Sequence, residues 1–204
     1  MPDSTATDVP PLLTEQERHQ LLRLARASIR HGLDTGTALP VDLAEQSEAF
    51  QADGAAFVTL HLGGQLRGCI GHLEPIQALA LDVADNAFAA AFRDPRFPPV
   101  RPAEIDALHI ELSVLTPSRP IAFNSEDELI AALRPGIDGV ILAETGAHGE
   151  RRGTFLPSVW EQLPQPRGFL RHLKHKAGLS PDHWSDDMRA WRYGTESFGE
   201  PVTS

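Results

Sequence analysis

A glycine pair, Gly63-Gly64, constrains the fold of this chain more than any other feature. It separates a strand-like run at residues 55–62 from a second run at residues 65–71. Two adjacent glycines tolerate positive φ at both positions, which is what a two-residue turn between antiparallel strands requires. The sequence therefore predicts a β-hairpin, and it places the single cysteine, Cys69, on the return strand.

Helical and strand patterns continue on both sides of this hairpin. A capping box at residues 14–17 (TEQE) opens a helix predicted over 14–31, with Gly32 as its stop. Pro75 opens a second helix, which ends before the prolines at 95–99. The later predictions are a strand at 108–114, a short capped helix from 125, strands at 139–143 and 154–156, helices near 157–163 and 166–177, and an aromatic tail at 184–191 that closes over the core.

These strands come largely as adjacent antiparallel pairs, which favours an α+β fold over a doubly wound parallel one. We expect a mostly antiparallel sheet built from hairpins with packed helices, as a main lobe plus a smaller lobe. Residues 1–13 are predicted to be a disordered lead-in and residues 14–200 the folded domain, with the smaller lobe within about 118–155. A chain of 204 residues buries enough surface to fold without a disulfide or a metal.

Charge and cysteine content exclude several classes of protein. A formal net charge of −10 argues against nucleic-acid binding and against anionic membrane surfaces, because both need a surplus of Lys and Arg. No run of about 20 apolar residues is present, so no membrane span is expected. One cysteine cannot form an internal disulfide, which fits a reducing compartment, and we expect a cytoplasmic protein.

The strand through Cys69 is the candidate site. In a regular strand, Arg67 and Cys69 share a face with Cα atoms about 6.5–7 Å apart, and a nearby guanidinium favours thiolate over thiol. Gly68 and Gly71 are unusual within a strand and suggest space cleared for a ligand. The alternative is structural: Cys69 is a small buried residue and the glycines let a helix pack closely.

Further polar groups are expected to join this site. His72 directly follows the strand and is a candidate acid or base. Glu111 lies within the strand at 108–114, where a buried carboxylate needs a partner such as Arg67. Arg93, Asp94 and Arg96 lie in the loop after the second helix, which can return over the hairpin and shape a pocket.

Common cofactor and metal motifs are missing. The sequence contains no GxxxxGK[ST], no credible GxGxxG, no GxSxG and no HExxH. His172 and His175 share a helix face, but no carboxylate or cysteine stands at a supporting spacing, which favours a solvated face over a zinc site. We therefore predict neither a cofactor nor a metal.

LRGCIG at 66–71 and further segments over about residues 14–200 together resemble the AMMECR family. The hexapeptide LRGCIG at 66–71 matches the motif that defines the family. Lys174 lies near a position that often holds a second cysteine, which weakens mechanisms that need two thiols. The other matching segments are FVTL at 57–60, DPRFPP at 94–99, IELSVLTP at 110–117, DGV at 138–140, GTFLP at 153–157, KAGL at 176–179 and Trp184.

The resemblance implies a mixed α/β fold and a link to the AmmeMemoRadiSam system, in which such proteins accompany a Memo-like protein and a radical SAM protein. The first hypothesis is an enzyme or enzyme component that uses Cys69, with Arg67 tuning the thiolate and Glu111 or His72 as acid or base. The second is a non-catalytic docking module that presents a substrate to those two partners. A third is that the radical SAM partner modifies the glycines of the motif.

Overall fold

A computed structural model describes residues 12–146 and 149–201. Most of the predicted lead-in, residues 1–11, lies outside the described residues, as do residues 147–148 between the strands predicted at 139–143 and 154–156. Leu13 is buried in the core of the first unit. The structure combines helices with antiparallel strands, which confirms the predicted α+β class.

The chain divides into two compact units, residues 1–114 with 196–204, and residues 115–195. The first unit is built from helices α1 (Glu15–Thr35), α2 (Glu48–Gln51) and α3 (Leu79–Phe92) and strands β1 (Asp53–Gly54), β2 (Ala56–Leu62), β3 (Gln65–Gly71), β4 (Gln77–Ala78), β5 (Leu108–Leu115) and β10 (Thr195–Gly199). The second is built from strands β6 (Arg119–Ile121), β7 (Gly139–Gly146), β8 (Gly149–Phe155) and β9 (Met188–Tyr193) and helices α4 (Glu126–Ala132) and α5 (Pro166–Lys176).

The first unit packs helices on one face of a four-stranded sheet of order β10-β5-β2-β3. Alternate residues of β2 and β5 are buried, including Val58, Leu60, Ile110 and Leu112, and they form one core with residues of α1 and α3. The opposite face of these strands carries partly exposed and mostly polar side chains. This alternation is that of a sheet with one covered face and one open face.

The predicted hairpin is confirmed, with Gly63 and Gly64 at φ 56° and 75°. The capping box on α1 is also confirmed, because Thr14 accepts from the Glu17 backbone and Glu17 reaches back. The helix runs beyond the predicted stop at Gly32, however, and ends at Gly36, whose φ is 75°. Gly32 instead lies against Phe88, where a Cβ would be 2.6 Å from the ring.

Two further boundaries differ from the sequence prediction. The second helix begins at Leu79 rather than Pro75, because Gln77 and Ala78 pair with β1 as the short strand β4. The predicted helix near 157–163 is a 3₁₀ turn at Pro157–Glu161. The short strands predicted at 139–143 and 154–156 are longer, because they pair along their whole length as β7 and β8.

The C-terminal strands were missed. The second sheet has the order β6-β9-β7-β8, so β9 is an inner strand rather than part of an aromatic cover. Its burial pattern is irregular, and Arg189 and Arg192 interrupt the apolar alternation.

Within residues 12–146 and 149–201, no helix combines the length and the apolar content that crossing a bilayer requires.

Candidate functional site

Cys69 lies in a row of three residues across the open face of the first sheet. The register places Thr59 of β2 opposite both Cys69 of β3 and Glu111 of β5. The Thr59 hydroxyl donates to the Cys69 sulfur, with an oxygen–sulfur distance of 3.3 Å. Cys69 is a free, partly exposed thiol. The sheet therefore aligns a thiol, a hydroxyl and a carboxylate on a face that none of the helices described for this unit covers.

The backbone of Cys69 is held by the loop that follows α3. Strand β3 is at the edge of the sheet, where backbone groups that point outward have no strand partner. Asp94 Oδ2 accepts from the Cys69 N–H at 2.9 Å, and Arg96 Nη2 donates to the Cys69 carbonyl at 3.1 Å. These two side chains replace the missing strand and fix the position from which the thiol projects.

Asp94 is the anchor of this arrangement. Its carboxylate is buried, and it accepts from the Arg96 backbone N–H at 3.1 Å and from Nε and Nη2 of the same residue at 2.9 and 2.7 Å. Hydrogen bonds from the Arg96 side chain, aided by the two backbone N–H groups, hold the pKa of Asp94 well below its ordinary range, although burial opposes this shift. Asp94 is therefore an anion at neutral pH, and its charge keeps Arg96 in place.

Arg67 does not contact Cys69, contrary to the prediction that the two residues share a face of the strand. The register between β2 and β3 shifts after Leu60, so that Leu60 faces Gly68 and the next residue faces Leu66. Arg67 is the extra residue of this β-bulge, and a bulge breaks the alternation of side chains that the sequence argument assumed. The predicted contacts of Arg67 with Cys69 and with Glu111 are not formed.

Arg67 instead binds the loop at 98–104 and holds it against the hairpin. It donates to the carbonyls of Pro98 and Pro99 at 2.8 and 3.3 Å, and to both oxygens of Glu104 at 3.0 and 3.2 Å. Both side chains of this ion pair are about one-tenth exposed. The hydrogen bonds from Arg67 are the main cause that lowers the pKa of Glu104 to about 2.

The glycines of the motif do not clear space for a ligand. A Cβ on Gly68 would lie 2.1 Å from the Ala90 carbonyl oxygen of α3. A Cβ on Gly71 would lie 2.4 Å from Cγ of Phe57. Protein atoms occupy both positions, so the interpretation of these glycines as an empty pocket is corrected in favour of close packing.

His72 lies on the helix side of β3, away from the thiol. Its Nδ1 is 2.5 Å from Oδ1 of Asp82, which is fully buried in the first turn of α3. The other oxygen of Asp82 accepts from the Ala56 N–H at 2.8 Å and from Asn86 Nδ2 at 3.0 Å. This carboxylate orients the imidazole, and the His72 side chain remains 41% exposed. Cys69 and His72 therefore belong to two separate groups of residues.

Glu111 and Arg93 are the remaining predicted site residues. Glu111 is partly exposed, and its carboxylate has no hydrogen-bond or ion-pair partner within the part of the chain that the structure describes. Arg93 ends α3, with its guanidinium 4.8 Å from the centre of the Phe88 ring. Among residues 12–146 and 149–201, no group of three or more His, Cys, Asp or Glu side chains is arranged to hold a metal ion.

Sequence reasoning missed Thr59, Asp82, Asn86 and Glu104. Asp82 and Asn86 are four residues apart within the otherwise apolar buried stripe of α3, which is a readable signal for a buried polar pair. Thr59 and Glu104 carry no such signal, because strand register and loop placement bring them to Cys69 and Arg67.

The chain is similar to members of one protein family over most of its length. Residues 22–198 match the family model described as AMMECR1. A protein of Methanothermobacter thermautotrophicus is 37% identical over 192 residues, covering 92% of this chain and 96% of the relative. Protein MJ0810 of Methanocaldococcus jannaschii is 36% identical over 197 residues, covering 93% and 92% of the two chains.

A solved structure shares the fold. The crystal structure of the uncharacterized protein PH0010 from Pyrococcus horikoshii aligns with a TM-score of 0.74 at 33% sequence identity. The alignment covers 93% of this chain and 94% of that protein. The similarity therefore extends over both compact units.

Proposed function

The chain belongs to the AMMECR1 family, and on that premise we propose that it is an enzyme component whose reactive group is the Cys69 thiol. The proposal includes a working association with a Memo-like protein and a radical SAM protein in the cytoplasm. The family resemblance motivates the partners, and a single reduced cysteine fits that compartment.

One observation carries this proposal: Cys69, Thr59 and Glu111 lie in register on the open face of the sheet. Cys69 is the nucleophile, since a thiol is the strongest nucleophile among uncharged side chains. Thr59 donates a hydrogen bond to the sulfur, which favours negative charge there. Glu111 is the acid or base, because its carboxylate shares this face and no other described group engages it.

The surrounding residues position the thiol rather than react. Asp94 and Arg96 hold the Cys69 backbone, and Arg67 with Glu104 holds the loop that carries them. Gly68 brings α3 into contact with the strand. His72 is assigned no role toward Cys69, because it binds Asp82 of α3 on the side of β3 opposite the thiol.

Alkylation of the native protein tests this function. Cys69 is the only cysteine, so the mass added by iodoacetamide at neutral pH reports on one thiol without ambiguity. We expect one adduct on the native protein, at a rate at least comparable to that of the same thiol in urea, and none on Cys69→Ser. A native thiol that reacts only after unfolding would refute a nucleophilic role, and the urea arm shows that the reagent is active.

A second candidate, a docking module that presents a substrate to the same partners, is favoured by a different observation. The glycines enclose no pocket, while Leu66 is 42% exposed and the Arg96 side chain 54% exposed beside Cys69. An exposed surface of this kind suits a protein contact. Co-purification with both partners, compared between the wild type and Leu66→Ser, tests it; no association of the wild type, with substrate supplied, would refute it.

A further inference from the structure

The net charge of this protein is distributed unevenly between its two units. Residues 1–114 with 196–204 contain 8 Arg and 18 Asp plus Glu, a net charge of −10. Residues 115–195 contain 10 Lys plus Arg and 10 Asp plus Glu, a net charge of zero. A positively charged region on the first unit is therefore opposite in sign to the net charge of that unit.

Such a region lies directly beside Cys69. The segment 93–101 contains three of the eight arginines of the first unit, Arg93, Arg96 and Arg101, and one carboxylate, Asp94. Its net charge is +2, because the depressed pKa of Asp94 keeps that carboxylate ionised. The neighbouring pair of Arg67 and Glu104 is neutral. The thiol is thus next to a segment of net positive charge in an anionic unit.

Arg96 is held in a fixed orientation. Its Nε and Nη2 donate to Asp94, Nη2 also donates to the Cys69 carbonyl, and the guanidinium lies 5.4 Å from the centre of the Phe97 ring. Nη1 makes no hydrogen bond to the described residues, and the side chain is 54% exposed. A guanidinium fixed on one edge and open on the other is suited to binding carboxylate or phosphate oxygens.

Arg101 is a second exposed arginine of this segment. Its side chain is 79% exposed, and its Nε lies 3.4 Å from Oε2 of Glu104. Glu104 also binds Arg67, which is two residues before Cys69 on the hairpin. Arg101 is therefore linked to Arg67, which the bulge turns away from Cys69, and among the described residues it makes no hydrogen bond or ion pair with Cys69 or Arg96.

From this arrangement we propose that Arg96 forms a subsite for an anionic group, a carboxylate or a phosphate, of the molecule that reacts at Cys69. The inference rests on the proposed function for the link to the thiol, but the anion subsite itself does not depend on a reactive cysteine. It names the substrate class: an electrophile that carries at least one negative charge close to its reacting atom.

Electrostatics sets how strongly a positive charge raises the local concentration of an anion. A unit charge about 7 Å from an anion in water changes its local concentration about threefold at low ionic strength. At about 1 M salt the screening length falls to about 3 Å, so the effect disappears. An electrostatic subsite is therefore recognised by charge selectivity that salt removes.

The first experiment compares two alkylating reagents of nearly equal size on the native protein. Iodoacetate is anionic and iodoacetamide is neutral, so the ratio of their rates at Cys69 isolates charge from thiol accessibility. We expect Arg96→Gln to lower the iodoacetate-to-iodoacetamide ratio about threefold at low salt, and Arg96→Lys, which keeps the charge, to retain most of it. The change should vanish in about 1 M salt.

Arg30→Gln is the matched control. Arg30 is an exposed arginine of the same unit, on α1, with a single 3.4 Å ion pair to Asp106. Its removal changes the net charge of the protein equally and should leave the ratio unchanged. Equal ratios in the wild type and Arg96→Gln would overturn the subsite, as would an equal fall in Arg30→Gln.

The second experiment separates the subsite from the reactivity of the thiol. Inorganic phosphate and succinate are titrated separately into Cys69→Ser, and the Nε–H resonances of the arginines are followed by NMR. We expect saturable shifts of Arg96, with the more effective of the two anions identifying the preferred group. Shifts that do not saturate, or that are equal at Arg30, would overturn the subsite. An unreactive thiol with saturable anion binding would refute only the proposed function.

Discussion

The N–H of Cys69 donates to Oδ2 of Asp94 at 2.9 Å, and this contact joins the hairpin to the loop after α3. The same carboxylate binds the Arg96 side chain through two further hydrogen bonds. A buried anion between an edge strand and a loop thus determines where the only thiol of the chain lies.

Replacement of Asp94 by Asn should lower the free energy of unfolding by about 3 kcal/mol, because Arg96 loses its buried counter-charge and the Cys69 N–H its charged acceptor. Urea denaturation at pH 7 measures this. Asp106→Asn is the control, since that side chain is 88% exposed and should cost under about 0.5 kcal/mol. Equal effects of the two substitutions would contradict the anchoring role of Asp94.

Glu104→Gln should cost about 3 kcal/mol at pH 7 and much less at pH 3. The pKa of Glu104 is about 2 in the folded protein against an ordinary 4.5, so the stabilisation is fully present above 4.5 and is lost as the pH falls toward 2. Denaturation of both proteins across this range measures the difference. Glu15→Gln, at an exposed ion pair, should show little change at any pH. A difference independent of pH would contradict the ion-pair origin.

Gly68→Ala should destabilise the protein by at least about 2 kcal/mol. The added Cβ would meet the backbone oxygen of Ala90 at 2.1 Å, which no side-chain rotation can relieve. Gly168→Ala provides a comparison of opposite sign: its Cβ would lie 4.0 Å from the nearest atom, in helix α5, and should stabilise by about 0.5–1 kcal/mol. Thermal unfolding of both variants tests the prediction, and a neutral Gly68→Ala would argue against the close packing of α3.

Thr59→Val should slow the alkylation of Cys69 by iodoacetamide at pH 7 about three- to tenfold. The valine keeps the shape of the side chain but removes the hydroxyl that donates to the sulfur, a hydrogen bond of about 1 kcal/mol. Ser113→Ala, on the same face of β5 and bonded to Ser197 rather than to the thiol, is the control. An unchanged rate in Thr59→Val would show that the hydroxyl does not support charge on the sulfur.

Asp82→Asn should alter the imidazole of His72 and lower the free energy of unfolding by about 2 kcal/mol. The buried carboxylate accepts from the Ala56 N–H and Asn86, and it selects the tautomer of His72 with a proton on Nδ1. Nitrogen-15 NMR of the histidine ring should show that tautomer in the wild type and its loss in the variant. Asp85→Asn, three residues further along α3, should change neither; a wild-type ring protonated on Nε2 would contradict the assignment.

Local patterns in the chain predicted much of the first unit. Gly63-Gly64 identified the hairpin and the strand that carries Cys69, and the capping box at Thr14 identified the start of α1. These features depend on contacts within a few residues, which sequence spacing describes well. Boundaries failed where a distant segment intervened, as when β1 paired with β4 and delayed the start of α3 to Leu79.

By itself, then, the sequence determined that the chain has an α+β fold and that a lone cysteine lies on the edge of a hairpin, because local turn chemistry and side-chain period specify both. Only the tertiary structure decided which charges reach that cysteine. A single bulge turned Arg67 away to Glu104, and the return of the loop after α3 brought Asp94 and Arg96 to the Cys69 backbone. The physical reason is that long-range register and buried ion pairs depend on where segments distant in sequence meet, which no local pattern specifies.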